Sequence, residues 1–503
     1  MKIQDILPEL AVREFTGDRT AEITAVTYDS RGVEGGALFV AVRGYRADGH
    51  DFVEEAVRRG AAAVVVEEPS RAAGSVAQVV VADSRRALAA AAAAFWGHPS
   101  REIAVVGVTG TNGKTTACFL LEAALREAGR ETALATTVYN ALAGEARPAR
   151  LTTAEAPEVQ AFLREAVAAG ASHAVVEVSS HALALSRVAD VEFAAAAFTN
   201  LSHDHLDLHG DLERYFEAKA SLFDQRREGA PAVVNVDDPY GRRLHASLPG
   251  RVVGYGAAAE AGYRLADVVA DWEGLTFTAT GPEGEAVELT SRLVGAFNAS
   301  NCLAAFALAR ELGVAADVAA RGLAQAPPVP GRLEVVPLAD GGRVVIDYAH
   351  SPDSMEKALA EIKRLGGGRL LVVFGCTGDR DRGKRPLMAE VARRYGDYVV
   401  LTSDDPYYED PEAIAREAEV GLERAGAVSP DDYRIILDRE EAIRFALAAA
   451  AETPPTVVAI LGKGHEEVQK IQGRTVPCHD RALVERALAE LGARGNAPAA
   501  SQN

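Results

Sequence analysis

The chain has 503 residues, a quarter of them charged, and a formal net charge of −19. That length exceeds what one hydrophobic core serves, so several domains are expected, and the acidic balance excludes a nucleic-acid backbone as the main partner. The four cysteines (Cys118, Cys302, Cys376, Cys478) show no C-x-x-C pairing, which points away from a zinc knot or a disulfide framework.

The N-terminus reads MKIQDILPEL, without the apolar core and small-residue site of a signal peptide. The alanine-rich tract at 87–96 is too short to span a bilayer. A cytoplasmic location without membrane insertion is therefore expected. Helix-like and strand-like runs alternate along most of the sequence, the signature of an α/β fold with parallel sheets flanked by helices. The first unit, 1–100, holds strand candidates at 37–42, 62–66 and 79–81 and helices near 52–59 and 84–96, and ends at His98-Pro99-Ser100. The second, 101–330, holds buried strands at 103–108, 173–178, 194–200 and 232–235 and helices at 115–127, 298–311 and 317–324. Between 252 and 293 short alternating strands predict a small antiparallel insertion, and the proline-rich run at 326–331 reads as a linker. The third, 331–492, repeats the alternation with strands at 344–347, 370–374, 398–402, 434–437 and 457–461. The small, polar tail at 493–503 is expected to be disordered.

The most informative segment is Thr109-Gly-Thr-Asn-Gly-Lys-Thr-Thr116, between a buried strand and a helix. Gly110, Thr111, Asn112, Gly113, Lys114, Thr115 and Thr116 form a glycine-bearing turn of the kind that wraps phosphate oxygens in backbone N–H groups at a helix N-terminus. Lys114 would neutralise the terminal phosphates of a nucleoside triphosphate, and the Thr115 hydroxyl would reach Mg²⁺. The strict G-x-x-x-x-G-K-[ST] spacing fails, because position 108 is Val.

Glu177 ends the strand at 173–178, where ligands of parallel sheets bind, and is a candidate oxygen ligand for Mg²⁺. Residues 203–209 gather three histidines and two aspartates. Lys219 lies on a helix with a mainly apolar face, and spacing alone reads it as a snorkelling surface group. In the third unit four polar, glycine-rich loops follow successive strands, at 347–353, 375–385, 403–407 and 461–466. Together they put arginines and carboxylates on one rim, suited to a zwitterion such as an amino acid.

TGTNGKTT (109–116), EVSSH (177–181), TNLSHDHLDLHG (199–210), EAK (217–219), GAFNASN (295–301), PGRLE (330–334), DYAHSPD (347–353), GDRDRGKRP (378–386) and GKGHE (462–466) together resemble the Mur ligase family over nearly the whole chain. The resemblance implies three α/β domains: an N-terminal one for a uridine nucleotide, a P-loop-type ATPase and a Rossmann-like C-terminal one for an amino acid. It also implies a monomer and a peptidoglycan-precursor reaction. An amino acid is joined to the D-glutamate of UDP-N-acetylmuramoyl-L-alanyl-D-glutamate, with ATP activating the carboxylate as an acyl phosphate. Carried over by position, Lys114 and Thr115 hold the γ-phosphate and one Mg²⁺, and Glu177 and His205 ligate a second. Lys219 aligns with the lysine that the family converts to N6-carboxylysine, which joins the metal shell. Asn298, Asn301, Arg332, Asp347 and His350 match the adenosine pocket and domain hinge. Ser30, Thr152, Thr153, Ser179 and Arg187 match contacts to the UDP-sugar-peptide, and Arg380, Gly462 and Glu466 match the amino-acid pocket.

Two departures stand out. Tyr45-Arg-Ala47 sits at the uridine contacts with side chains unlike the family's version. Asp404-Asp405-Pro-Tyr407 stands where enzymes adding meso-diaminopimelate read Asp-Asn-Pro-Arg, so the arginine that pairs with the distal carboxylate is lost. That departure tilts the expected amino acid toward L-lysine. Alternatives are another ligase of the same superfamily, such as a folylpolyglutamate synthase, a non-catalytic nucleotide-binding relative, and a metal-dependent hydrolase. The Asp29-Ser-Arg31 and 462–466 segments argue against the first, and the presence of Lys114, Glu177, His205 and Lys219 against the second. A hydrolase leaves the phosphate loop without a role.

Overall fold

The computed structural model describes residues 1–44, 47–74 and 76–495. Tyr45 and Arg46 of the expected uridine contact, and the tail from 496, lie outside the described residues. Three sheets of five, eleven and six strands follow one another along the chain, and each carries apolar clusters on both faces, as helix-covered parallel sheets require.

The N-terminal sheet runs, in spatial order, Val12–Thr16, Ala77–Val81, Ala63–Val66, Ala37–Val40 and Ala25–Thr27. Its inner strands are parallel and apolar except at Gln78, and the mostly exposed strand Val12–Thr16 closes one edge antiparallel. That edge strand and Ala25–Thr27 carry no buried run and escape a reading by hydrophobicity.

In the central sheet the strand Ala104–Thr109 lies between His173–Glu177 and Phe193–Phe198, both parallel to it. Glu177 pairs with Val108 and Phe198 with Thr109. This register delivers Glu177, the phosphate loop and the Thr199–Asn200 segment to one rim. The expected insertion at 252–293 is instead an extension of the same sheet. Tyr263–Ala270 pairs in parallel with Val252–Gly256, and Leu275–Thr280 and Ala286–Ser291 then add antiparallel. Alternating burial in Leu275–Thr280 packs one face of this extension on the helix Asn298–Glu311. The opposite edge also ends antiparallel, through Thr132–Ala135, Tyr139–Leu142 and Glu145–Pro148.

The C-terminal sheet orders Glu334–Pro337, Arg343–Asp347, Thr456–Leu461, Arg369–Cys376, Tyr398–Ser403 and Tyr433–Ile435. All but the first are parallel. The last strand, paired through Leu461 to Asp347 and Phe374, is inserted between neighbours more than eighty residues earlier. The final helix, Asp480–Gly495, runs three residues into the tail expected to be disordered, because Ala493 and Arg494 are good helix formers. All four cysteines are buried and free, and no helix of the described residues is long and apolar enough to cross a membrane.

Candidate active site

The loop after Ala104–Thr109 is built on two glycines with left-handed φ, Gly110 at 149° and Gly113 at 83°. A Cβ on Gly110 would strike the Thr199 hydroxyl, and one on Gly113 the Asn301 side-chain amide. Any other residue would therefore both strain the backbone and push the loop off its neighbours. The helix Lys114–Glu127 starts without a side-chain cap, so its N-terminal dipole is directed at the loop. Thr199 Oγ1 donates to the Asn112 carbonyl at 2.6 Å, and the Asn112 N–H donates to Asn200 Oδ1 at 3.0 Å.

Glu177, only 2% exposed, gathers the site. Its Oε2 accepts from Thr115 Oγ1 at 2.9 Å and from both the N–H and the hydroxyl of Thr137 at 3.0 Å. Lys114 Nζ lies 4.0 Å from Oε1 and donates to the Thr111 carbonyl at 2.9 Å. Burial holds the Lys114 ammonium below its ordinary range, partly offset by Glu177. A buried carboxylate with hydroxyls converging on it is the donor chemistry of a hard divalent cation, so Glu177 and Thr115 fit Mg²⁺.

Lys219 is not the surface group that spacing suggests: it is 1% exposed. Its Nζ donates to the Gly110 carbonyl at 2.6 Å and lies 4.5 Å from the Tyr215 ring centroid. Burial, reinforced by Lys114, sets its pKa well below the usual lysine value. His205 takes a left-handed φ of 51° and packs edge-on against His181 at 4.8 Å and Tyr215 at 6.3 Å. His205 and Lys219 thus share Tyr215 as a neighbour, whose hydroxyl lies 3.3 Å from Thr111 Oγ1 of the phosphate loop. Partial burial holds the His205 imidazole below its usual range, against the pull of Asp204.

Thr152, Thr153, Ser179 and Arg187 join Glu177 in one network. The Thr152 and Thr137 hydroxyl oxygens lie 3.1 Å apart, and Thr153 Oγ1 donates to the Glu177 carbonyl at 2.7 Å. The Ser179 N–H donates to Thr153 Oγ1, and Arg187 donates to the Thr153 carbonyl and pairs with Glu155 at 2.8 Å. Ser30 is buried in the N-terminal unit, beside the bidentate Asp29–Arg31 pair. There Tyr28 reaches the central unit through Glu158 at 3.3 Å.

The C-terminal unit touches the phosphate loop at Thr115 and Asn112 and the neighbouring rim at Thr137. Arg332 Nη2 donates to Thr115 Oγ1 at 3.1 Å, Asn112 Nδ2 donates to Asp353 Oδ2 at 3.3 Å, and His465 Nε2 lies 3.2 Å from the Thr137 carbonyl. Burial lowers the His465 pKa to about 3, so the neutral ring donates here. Asn298 and Asn301 bond to each other at 2.8 Å on the helix behind the loop. Asp347 is half-buried, and desolvation, against the pull of Arg332, raises its pKa; it accepts from the Leu333 and Ala349 N–H groups. His350 Nδ1 meets the Tyr348 carbonyl at 2.8 Å.

On the C-terminal rim, Lys463 is fully buried among three carboxylates: Glu466 at 2.6 Å, Asp405 at 3.0 Å and Asp404 at 3.8 Å. Burial works against its charge, but Asp404, Glu466 and Asp405 prevail and raise its pKa. Asp404 and Asp405 are thereby committed to Lys463, which fills the position a metal ion would take among them. Glu466 Oε1 accepts from Tyr348 at 3.2 Å. Arg380 is exposed, its guanidinium 6.0 Å from the Tyr407 ring centroid. Gly462, with φ of 112°, has no room for a Cβ because Asp404 closes over it.

Reading the sequence missed Thr137, Asp353 and Lys463. A hydroxyl pair just after the strand Thr132–Ala135, at the same rim as Glu177, is the signal that would have found Thr137.

Comparison with known proteins places this geometry. Models of the Mur ligase family catalytic domain, the Mur ligase middle domain and the Mur ligase glutamate ligase domain match residues 22–135, 108–309 and 331–464. The chain is 39% identical over 492 residues to the UDP-N-acetylmuramoyl-L-alanyl-D-glutamate--2,6-diaminopimelate ligase of Syntrophomonas wolfei, with 97% of this chain and 99% of that one covered. It is 42% identical to a UDP-N-acetylmuramyl-tripeptide synthetase of a Roseiflexus species, with 98% and 100% covered. A solved diaminopimelate ligase of the first name superposes with a TM-score of 0.67 at 32% identity, covering 98% and 99%. MurF from Acinetobacter baumannii shares the fold, with a TM-score of 0.68 at 21% identity over 97% and 98%. With relatives of this identity matched from end to end, the chain belongs to the Mur ligase family.

Proposed function

We propose that this protein is the ATP-dependent ligase that joins a diamino acid to the D-glutamate of UDP-N-acetylmuramoyl-L-alanyl-D-glutamate, in the cytoplasm, as a monomer. The observation that carries the reading is the convergence on Glu177: the phosphate-loop hydroxyl, Lys114 and Thr137 all meet its buried carboxylate, while Thr153 holds its main-chain carbonyl. The names of the relatives over the whole chain support the substrate. Residues 1–100 would take the uridine nucleotide, 101–330 ATP and 331–492 the amino acid.

A carboxylate is a poor electrophile, so it first attacks the γ-phosphorus of ATP and ADP departs, leaving an acyl phosphate. The incoming amine then adds to the acyl carbon, and collapse of the tetrahedral intermediate expels inorganic phosphate. Lys114 and the first N–H groups of the helix Lys114–Glu127 hold the phosphates in line, where positioning and charge neutralisation supply most of the rate. Thr115 and Glu177 would hold one Mg²⁺, and Glu177, His205 and a carbamylated Lys219 a second. Bound there, the ions neutralise charge on the transferring phosphoryl group. Asn298, Asn301, Asp347 and His350 would border the adenosine, and Thr152, Thr153, Ser179 and Arg187 the peptide end of the UDP substrate.

The test is product mass with purified protein, ATP, Mg²⁺ and the UDP-dipeptide, offering L-lysine, L-ornithine and meso-diaminopimelate in parallel. A tripeptide mass with any of them supports the reading. ATP hydrolysis without an amide product overturns it.

A further inference from the structure

The loss of an arginine at position 407 leaves open what, if anything, meets a second carboxylate on the incoming amino acid. The surroundings of Tyr407 answer this. The hairpin Val468–Ile471 and Arg474–Pro477 lies against the loop after Tyr398–Ser403. Lys470 is clamped to that loop on both sides of its backbone. Its N–H donates to Asp405 Oδ1 at 3.0 Å, and its carbonyl accepts from the Tyr407 N–H at 3.0 Å. The next turn returns a bond, from the Gln472 N–H to the Tyr407 carbonyl at 2.6 Å, and Gln469 Nε2 donates to the Asp404 carbonyl.

Tyr407 itself has φ of 50°, a left-handed conformation that a bulky aromatic residue keeps only where its surroundings over-determine it. The clamp fixes where the Lys470 side chain begins, and its ammonium lies 5.6 Å from the Tyr407 ring centroid. The Arg380 guanidinium lies 6.0 Å from the same centroid. Two cations therefore flank the ring at the position whose arginine is missing. No carboxylate is paired with Lys470 among the salt bridges of the described residues, whereas Lys463, seven residues earlier, is surrounded by three. The rim is thus polarised: carboxylates around Lys463 at Glu466, and uncompensated positive charge at Tyr407.

From this juxtaposition we propose that Lys470 replaces the missing arginine. Its ammonium, with Arg380 beside it, receives the distal carboxylate of the incoming amino acid across the face of Tyr407, so the pocket selects a diamino dicarboxylic acid over L-lysine. This rests on the ligase reading above and runs against the tilt toward L-lysine that the sequence alone suggested. A flexible lysine makes a single charge-assisted bond where an arginine makes two.

The experiment measures kcat and KM for meso-diaminopimelate and for L-lysine with the full chain, ATP, Mg²⁺ and the UDP-dipeptide, in the wild type, Lys470→Met and Lys470→Arg. The wild type is expected to favour diaminopimelate. In Lys470→Met the ratio of kcat/KM for diaminopimelate over L-lysine should fall by about ten- to a hundredfold, the range of a lost charged hydrogen bond. The loss should lie mainly in KM, because the distal carboxylate is remote from the reacting amine, and Lys470→Arg should restore the preference. A wild type that favours L-lysine, or a ratio that Lys470→Met leaves unchanged, overturns the proposal while the ligase reading stands. Absence of a tripeptide with every amine offered overturns the ligase reading and the proposal with it.

Discussion

Arg332, on the segment that enters the C-terminal domain, donates through Nη2 to the hydroxyl of Thr115, the residue after the phosphate-loop lysine, at 3.1 Å. The same guanidinium stacks 4.9 Å from the Tyr348 ring centroid, and Tyr348 in turn bonds to Glu466. A continuous chain of contacts thus runs from the amino-acid rim to the phosphate loop: Glu466, Tyr348, Arg332, Thr115, Glu177. Such a chain lets the C-terminal domain contribute charge to the phosphate site only when it is docked, which keeps a reactive acyl phosphate from forming in open solvent.

Arg332→Ala should therefore lower phosphate release in the presence of all three substrates by at least about tenfold, the scale of one charged donor removed from a phosphoryl-transfer site. Arg332→Lys should recover only part of the rate, because an ammonium cannot both stack on Tyr348 and donate through a planar fork. Steady-state phosphate release checks both; wild-type rates in Arg332→Ala would remove the residue from the chemistry.

Lys219→Ala should be inactive for ligation and partly restored by a small carboxylic acid such as formate or acetate, which can enter the space vacated under Gly110 and supply the anion. The readout is tripeptide formation against acid concentration. A variant that no acid rescues would count against carbamylation of a lysine this deeply buried.

Lys463→Met removes the only cation among Asp404, Asp405 and Glu466 in the contacts described. Breaking a buried ionic cluster from one side costs about 3 kcal/mol or more, because the carboxylates are left uncompensated. Urea unfolding followed in the C-terminal domain should show that loss, and a change under about 1 kcal/mol would mean the carboxylates rearrange to water.

Acid should loosen the C-terminal domain through Glu409. Arg385 donates to both its oxygens, at 2.9 and 3.0 Å, and Arg382 adds a third bond at 2.9 Å. The Arg385 bonds, helped by Arg382, lower its pKa from an ordinary 4.5 to about 2. Because the folded value lies below the unfolded one, the stabilisation is complete above about 4.5 and disappears as the pH falls toward 2. Glu409→Gln should flatten the loss of stability with pH across that window, measured by thermal unfolding at each pH; an unchanged slope would rule the pair out.

Much of this architecture was legible in the chain. Runs such as 103–108 and 457–461 are apolar on both faces, as strands covered by helices must be, and the glycines, lysine and threonines of the phosphate loop follow the first directly. Glu177 was legible because it ends such a strand. Other features depend on which strands become neighbours, and composition does not encode that. The strand Thr456–Leu461 is inserted between two much earlier ones, which is what carries Lys463 to Asp404 and Asp405. A loop lysine reads as exposed until that insertion is known. Thr137 and Asp353 were missed for the same reason: their partners, Glu177 and Asn112, are 40 and 241 residues away. The stretch 252–293 read as an insertion because short alternating strands replace helices there, although the parallel pairing of Tyr263–Ala270 with Val252–Gly256 continues the central sheet.

Thr137 spends its two backbone groups on different domains. Its N–H is bound to Glu177, its carbonyl to His465 across the interface. Undocking the C-terminal domain frees the carbonyl and loosens the peptide whose N–H is held at the Glu177 carboxylate. Hydrogen exchange at this one amide is therefore a native reporter of docking, needing no label and sited where the nucleotide would bind. Each substrate added in turn would slow it by the fraction of molecules it closes.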